Sequence, residues 1–297
     1  MTALLLHFED ETAQAARLAA AAGLGCRLVE RHRFPDGELR LRLPSALPPH
    51  VVLLRGLHDP NEKLVELLLA ASTARTLGAR RLTLVTPYLG YMRQDIAFHP
   101  GEAVSQRIVG GFLAGLFDAV LTVDPHLHRI ARLDEAIPVA QAIALSAAPL
   151  LAELAVARRG RPLLVGPDAE SAQWVGSAAT SFGLDHAVCA KLRRGDHDVD
   201  IHLPEADFAG RAVVLIDDIA STGRTVALAA RQLLAAGAVS VDLAVTHALF
   251  AADALEVVRA AGVDEVWSTD CVPHASNAVS VAPLLAQALL RLPECMT

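Results

Sequence analysis

The sequence predicts an α/β protein of two tandem domains, each a mostly parallel sheet flanked by helices, and three observations carry that prediction. Short β-branched and leucine-rich runs alternate with longer Ala/Leu segments of helical period, the pattern of buried strands joined by crossover helices. The chain has 297 residues, about twice the roughly 150 of a common domain. A fresh strand begins after the punctuation Arg158-Arg159-Gly160-Arg161-Pro162. The boundary is expected near residue 145, giving domains 1–145 and 146–297. Their shared strand-helix rhythm is what a duplication would leave.

The elements follow in order. Leu4-Leu5-Leu6 turns acidic at Glu9-Asp10 without a basic leader, so it reads as a strand and not as a secretory signal. Val51 to Leu54, Leu82 to Thr86 and Val120 to Val123 read as buried strands. Between the first two of these lies the best-marked helix. Asp59 can cap it, Pro60 fits its first turn, Leu64, Leu67, Leu68 and Ala71 recur at helical spacing, and Gly78 ends it. An Ala-rich helix is expected between about Ala140 and Pro162, then strands at Leu163 to Val165, Val213 to Ile216 and Val241 to Thr246. A Ser/Thr/Gly loop leads from Ile216 into a helix through Val226-Ala227-Leu228-Ala229-Ala230 that stops near Gly237.

Composition narrows the function classes. Hydrophobic residues make up 53% of the chain and charged ones 20%, enough apolar surface to offset the entropy of ordering it. Lys and Arg number 26 against 33 Asp and Glu, a net charge of -7. No global positive field exists to gather nucleic acid or an anionic membrane, so a small anionic substrate needs local cations. Mean hydropathy is +0.38, but polar residues interrupt every apolar stretch before about 18 positions, so no membrane span is expected. Cys26, Cys189, Cys271 and Cys295 form no CxxC pair, and free thiols in the cytoplasm are the simplest reading.

The most informative segment is Val213-Val214-Leu215-Ile216-Asp217-Asp218-Ile219-Ala220-Ser221-Thr222-Gly223-Arg224-Thr225. A buried strand delivers two adjacent carboxylates at its mouth, and a small-residue loop opens a helix, the place where open α/β sheets bind ligands. The chemistry is that of a phosphosugar clamp. Backbone N–H groups and the hydroxyls of Ser221, Thr222 and Thr225 can hold a phosphate at the positive helix end around Gly223, while Asp217 and Asp218 meet ribose hydroxyls. The segment closely resembles the signature of the phosphoribosyltransferase-type fold.

The first half of the chain separates two enzyme classes that share this signature. Arg33-Phe34-Pro35-Asp36-Gly37-Glu38, Thr86-Pro87-Tyr88-Leu89-Gly90-Tyr91-Met92-Arg93-Gln94-Asp95 and Thr122-Val123-Asp124-Pro125-His126-Leu127-His128 all resemble segments of the ribose-phosphate diphosphokinase (phosphoribosyl diphosphate synthase) family, in the same order. So do Val165-Gly166-Pro167-Asp168, Lys191-Leu192-Arg193-Arg194-Gly195-Asp196 and Pro273-His274-Ala275-Ser276-Asn277. The resemblance spans about residues 30 to 290. It implies two tandem type I phosphoribosyltransferase-like domains and Mg²⁺-dependent transfer of the diphosphoryl group of ATP to the 1-hydroxyl of ribose 5-phosphate.

Site roles follow from the resemblance. Phe34, Asp36 and Glu38 form an adenine-binding edge that reaches a neighbouring subunit's nucleotide, with Arg93 and Gln94 completing the ATP site, so a homo-oligomer is implied. Locally, Phe34 can stack on a base, Asp36 or Glu38 can accept from an exocyclic amine, and Arg93 can neutralise polyphosphate. An ordinary Asp-Gly turn is the plain alternative for this segment. His126 and Asp168 are implied as magnesium ligands, with oxygen donors dominating. Asp124-x-His126-x-His128 as a zinc site is the rival reading, and no further Cys/His cluster completes it. Lys191 and Arg193, before the polar stretch Gly195-Asp196-His197-Asp198, are implied as the cations that act with His126 in catalysis.

The chain also departs from the family pattern. Pro125 precedes the histidine, Ala169-Glu170-Ser171-Ala172-Gln173-Trp174 follows Asp168, and Ile96-Ala97-Phe98 stands where basic residues are common, marking a divergent branch. A phosphoribosyltransferase, a kinase of another pentose phosphate such as ribose 1-phosphate, and a non-catalytic regulatory paralogue are the other readings.

Overall fold

The structure is a computed structural model that describes residues 3–193 and 199–292, with backbone alone at 191–193 and 199–200. The chain divides into two compact units, Met1–Leu145 with Val281–Thr297, and Ser146–Ser280.

In the first unit the order is β1 (Leu4–His7), α1 (Thr12–Ala22), β2 (Gly25–Leu28), β3 (Glu30–Arg33), β4 (Leu39–Arg42), β5 (His50–Leu54), α2 (Pro60–Thr76), β6 (Arg81–Thr86), α3 (Ser105–Ala114), β7 (Ala119–Val123) and β8 (Gln141–Leu145). The second unit holds α4 (Ala148–Arg159), β9 (Leu163–Gly166), α5 (Ala172–Phe182), β10 (His186–Val188), β11 (Ala190–Arg193), β12 (Val199–His202), β13 (Ala212–Ala220), α6 (Arg224–Ala235), β14 (Ser240–Ala248), α7 (Ala254–Ala260), β15 (Val263–Thr269) and β16 (Asn277–Val279). The last helix, α8 (Ala282–Leu290), returns to the first unit.

Each unit is built on a six-stranded parallel sheet, in the orders β2-β1-β5-β6-β7-β8 and β10-β9-β13-β14-β15-β16. The two orders are the same topology twice. The antiparallel hairpins β3–β4 and β11–β12 also stand at the same point, just after the edge strand. Parallel pairing explains the consecutive apolar runs of the central strands, such as Val51 to Leu54 and Val213 to Ile216: helices cover both faces, so alternate residues are buried on opposite sides. In the second sheet Val213, Leu215, Val241 and Leu243 face a cluster with Val226 and Leu233 of α6, while Leu164, Val214, Ile216 and Ala244 face one with Leu151 of α4 and Trp174 and Val175 of α5. Trp174 is thus a core residue.

Three expectations need correction. The expected domain 146–297 takes in α8, whose buried Leu285, Ala286 and Leu289 belong to the first unit and whose neighbours there include α1, β7 and β8. An Ala/Leu helix carries no mark of which sheet it will cover. Residues 141–145, expected to be helical, form β8 beside β7, and helix begins only at Ala148. Asp59 caps α2 with no side-chain hydrogen bond and adopts a left-handed backbone at φ 47.

Candidate active site

The acidic cluster of the second unit lies where its sheet reverses strand order, between β9 and β13. Register pairing of these strands ends at Val165 with Leu215, while β13 continues beside β14 as far as Ala220 paired with Ala248. Asp217 and Asp218 therefore sit within the strand's last turn of pairing and have one strand neighbour instead of two. That opening is the crevice where such sheets bind ligands. Asp168 follows β9 and caps the short 3-10 turn Ala169–Ser171, its Oδ1 accepting the Glu170 N–H at 3.1 Å while Ser171 Oγ donates to its carbonyl at 2.6 Å. Asp168 is buried and Glu170 exposed.

Burial is the main cause that raises the Asp217 carboxyl well above the ordinary carboxylate range, and the charges of Asp218 and Asp168 push it the same way. The charges of the three carboxylates repel one another, and a divalent cation would relieve that repulsion. Asp168, Asp217 and Asp218 offer only oxygen donors, the kind a hard divalent cation takes.

Past the carboxylates the chain turns through Ser221 and Thr222 to Gly223, the N-cap of α6, at φ 68 and ψ -3. The Ala251 N–H donates to Ser221 O at 3.0 Å and the Ala227 N–H to Gly223 O at 2.8 Å, fixing the loop at both ends. Thr222 is exposed and Ser221 and Thr225 half-buried, so all three hydroxyl-bearing residues reach solvent at the helix start.

Lys191 and Arg193 lie in β11, in register with Ile201 and Val199 of β12. The strand period of two assigns positions 191 and 193 to one face of this hairpin. Their side chains, and the stretch Gly195-Asp196-His197-Asp198, lie outside the described residues.

In the first unit the equivalent hairpin carries the proposed adenine edge at its turn. The Phe34 N–H donates to Glu38 O at 2.8 Å, the Gly37 N–H to Phe34 O at 2.9 Å and the Glu38 N–H to Asp36 Oδ1 at 3.2 Å, with Gly37 at φ 95. The Asp-Gly turn is thus present, and it leaves Phe34, Asp36 and Glu38 exposed. Phe34 stands 38% exposed and meets His32 edge-on at 4.9 Å. Arg93 is exposed on the loop after β6, and Gln94 Nε2 donates to Ile96 O at 2.9 Å and Glu102 Oε2 at 3.2 Å. Asp95 is buried against Arg129, whose Nη1 lies 2.7 and 2.9 Å from its two oxygens. His126 follows β7 on a loop where Asp124 has φ 36, so the 124-126-128 alternation is not a strand. Its Nε2 nevertheless meets His128 Nε2 at 2.6 Å.

A charge network in the first unit was not legible in advance. Arg55, just beyond β5, is 1% exposed, places Nη1 2.8 Å from Asp10 and 3.2 Å from Glu11, pairs with Glu66 of α2 and lies over the Phe8 ring at 4.6 Å. Glu66 in turn pairs with Arg31 of β3. Burial raises the Glu11 carboxyl to about 7, against the pull of Arg55 and the Gly56 N–H and with the push of Asp10; the Lys63 ammonium also faces it. Between about pH 4.5 and 7 the folded chain then keeps a proton on Glu11 that the unfolded chain has released. Rising pH across that window favours unfolding, by a limit of roughly 3 kcal/mol. Denaturant titrations are expected to show wild-type stability falling relative to Glu11→Gln from pH 5 to 7.5; a flat difference would refute the raised carboxyl.

Two parallel-sheet units, one with an acidic crevice feeding a Ser/Thr/Gly loop at a helix start, define a phosphoribosyl-binding α/β protein. A model of the N-terminal domain of ribose phosphate pyrophosphokinase matches residues 3–116, and one of the phosphoribosyl transferase domain matches 133–284. The chain is 37% identical over 279 residues to a ribose-phosphate pyrophosphokinase of Methanopyrus kandleri, covering 93% of this chain and 94% of that one. It is 35% identical over 289 residues to one of Halobacterium salinarum, covering 96% and 100%. The chain belongs to the ribose-phosphate pyrophosphokinase family. In fold it is similar to a crystal structure of phosphoribosylpyrophosphate synthetase from Mycobacterium smegmatis, with TM-score 0.83, 24% identity and coverage of 97% and 98%.

Proposed function

We propose that this enzyme transfers the diphosphoryl group of ATP to the 1-hydroxyl of ribose 5-phosphate, giving 5-phosphoribosyl 1-diphosphate and AMP. The observation that carries the reading is the continuity of Asp217, Asp218 and the Ser221 to Thr225 loop at the open end of β13. Ser221, Thr222, Gly223 and Thr225 hold the 5-phosphate, and Asp217 and Asp218 hold the ribose diol, which aims the 1-hydroxyl for in-line attack on the β-phosphorus. The new O–P bond forms as the bond from the β-phosphorus to the α,β-bridging oxygen breaks, and AMP leaves with that oxygen. Mg²⁺, when held by Asp168 and its acidic neighbours, neutralises phosphate charge; the resemblance implies His126 for the same role. Lys191 and Arg193 stabilise the charge that spreads over the transferring phosphates. Phe34, Asp36, Glu38, Arg93 and Gln94 recognise ATP, in an assembly of at least two copies.

No described helix is long and apolar enough to cross a membrane. Cys26, Cys189 and Cys271 are free thiols, which supports a reducing, cytoplasmic setting.

The testing experiment incubates the purified protein with ribose 5-phosphate, ATP and Mg²⁺ and resolves AMP, ADP and 5-phosphoribosyl 1-diphosphate. AMP and 5-phosphoribosyl 1-diphosphate in equal amounts are expected, and Asp217→Asn/Asp218→Asn abolishes both. ADP in place of AMP overturns the diphosphoryl transfer. Asp218→Asn alone is expected to weaken ribose 5-phosphate binding by about tenfold or more in calorimetry, the loss of one charge-assisted hydrogen bond.

A further inference from the structure

The two units repeat one topology, and their crevices are filled in opposite ways. In the second sheet pairing between the first two central strands ends at Leu215, and in the first sheet the equivalent pairing, β1 with β5, ends at Leu53. Two residues further on stand Asp217 in one and Arg55 in the other. The parallel is visible in Val51-Val52-Leu53-Leu54-Arg55-Gly56 against Val213-Val214-Leu215-Ile216-Asp217-Asp218. Where the second unit holds the carboxylates of Asp217 and Asp218, the first holds a buried guanidinium paired with Asp10, Glu11 and Glu66.

That network has one arm reaching outward. Arg31 pairs with buried Glu66 and lies 3.8 Å from Asp10, and it belongs to the hairpin whose turn carries Phe34, Asp36 and Glu38. All four residues of β3 are exposed, and this two-stranded hairpin is separate from the six-stranded sheet. An isolated hairpin is marginal by itself. Leu41 of β4 packs against the core, and Arg33 pairs with Glu62, but Arg31 is the hairpin's tie into the buried charges. Glu66, 0% exposed, holds Arg55 and Arg31 on its two oxygens and cannot relax into water.

We propose that the Arg55–Glu66–Arg31 network positions the Phe34 to Glu38 turn for adenine recognition, with Arg31 as the positioning residue. The proposal rests on the reading of that turn as the adenine edge. A rigid anchor matters there because base stacking and amine recognition lose affinity when their ring and carboxylate shift by about an ångström.

The experiment uses Arg31, because replacing buried Arg55 removes the cation that Glu11 and Glu66 share in the interior and threatens folding itself. Steady-state kinetics and melting curves are measured for Arg31→Met, Arg31→Lys, Phe34→Ala and Arg31→Met/Phe34→Ala, with ATP and with GTP. Arg31→Met is expected to raise KM for ATP by about tenfold and narrow the ATP-to-GTP preference, with kcat and KM for ribose 5-phosphate within about twofold. Arg31→Lys should recover most of the loss, and the double variant should be no worse than Phe34→Ala. If Phe34→Ala raises KM for ATP but Arg31→Met leaves KM and base preference unchanged, or lowers all parameters together with the melting temperature, the positioning role is overturned. If Phe34→Ala itself leaves KM for ATP unchanged, the adenine-edge reading falls first and takes the proposal with it.

Discussion

Replacing Lys191 with alanine is expected to lower kcat by about 10²- to 10³-fold, the effect of removing one preorganised donor from a charge-stabilising site. The reaction moves two phosphoryl groups at once, and the negative charge that spreads onto their non-bridging oxygens is largest in the transition state. A cation that meets those oxygens mainly then contributes to turnover and little to ground-state binding. The affinity for ribose 5-phosphate, which the proposed roles assign to the loop of β13 and α6, should stay within about twofold. Lys191→Arg keeps the charge and is expected to recover part of the rate, less than fully because the guanidinium is larger and planar. Comparing kcat with a calorimetric ribose 5-phosphate titration separates the two roles. Unchanged turnover in Lys191→Ala, or a loss confined to substrate affinity, removes Lys191 from the chemistry.

What the sequence makes legible is what burial dictates. The central strands are legible because helices on both faces favour apolar residues at consecutive positions, as in Val51 to Leu54 and Val213 to Ile216. The hairpins carry no such mark. Glu30, Arg31, His32 and Arg33 are all exposed, and nothing in four consecutive polar residues distinguishes a strand from a loop. Residues 141 to 145 mislead for a related reason: Gln-Ala-Ile-Ala-Leu is only partly buried at the sheet edge, and alanine favours helix by propensity while the pairing with β7 decides otherwise. At the other end, β13 runs on through Asp217 and Asp218, because its ladder to β14 holds the backbone whatever the side chains carry.

The proposed site is legible in the sequence to the extent that it is local. The proposed clamp from Asp217 to Thr225 is one continuous segment, so strand, loop and helix start can be read together. Arg55 shows the limit. Its partners at positions 10, 11 and 66, and the onward pair at 31, come from three other elements, so only the fold brings them together. The one local signal was the near repeat of the Val213 strand at Val51, with arginine where the second copy has aspartate.

Gly223→Val is expected to cost the protein at least about 30-fold in ribose 5-phosphate affinity, through two effects that add at one atom. At φ 68 the residue sits in the left-handed region, which costs a β-branched side chain roughly 1–2 kcal/mol or more. A Cβ there would also stand 2.7 Å from Val258 Cγ2 and 3.0 Å from the Ala254 carbonyl oxygen, both on α7. The valine methyl has little room to turn away, and the carbonyl is helix backbone. The start of α6 must shift instead, and with it the loop proposed to hold the phosphate. Gly183 supplies the control: it has φ 59 and nothing within 4 Å of its would-be Cβ, so Gly183→Ala bears the conformational cost without the collision. That control should lose about 1 kcal/mol of stability and keep its affinity. Calorimetry on both variants, with circular dichroism to confirm folding, decides the matter. A folded Gly223→Val protein that binds ribose 5-phosphate as tightly as the wild type would show that the loop at α6 is not the phosphate clamp.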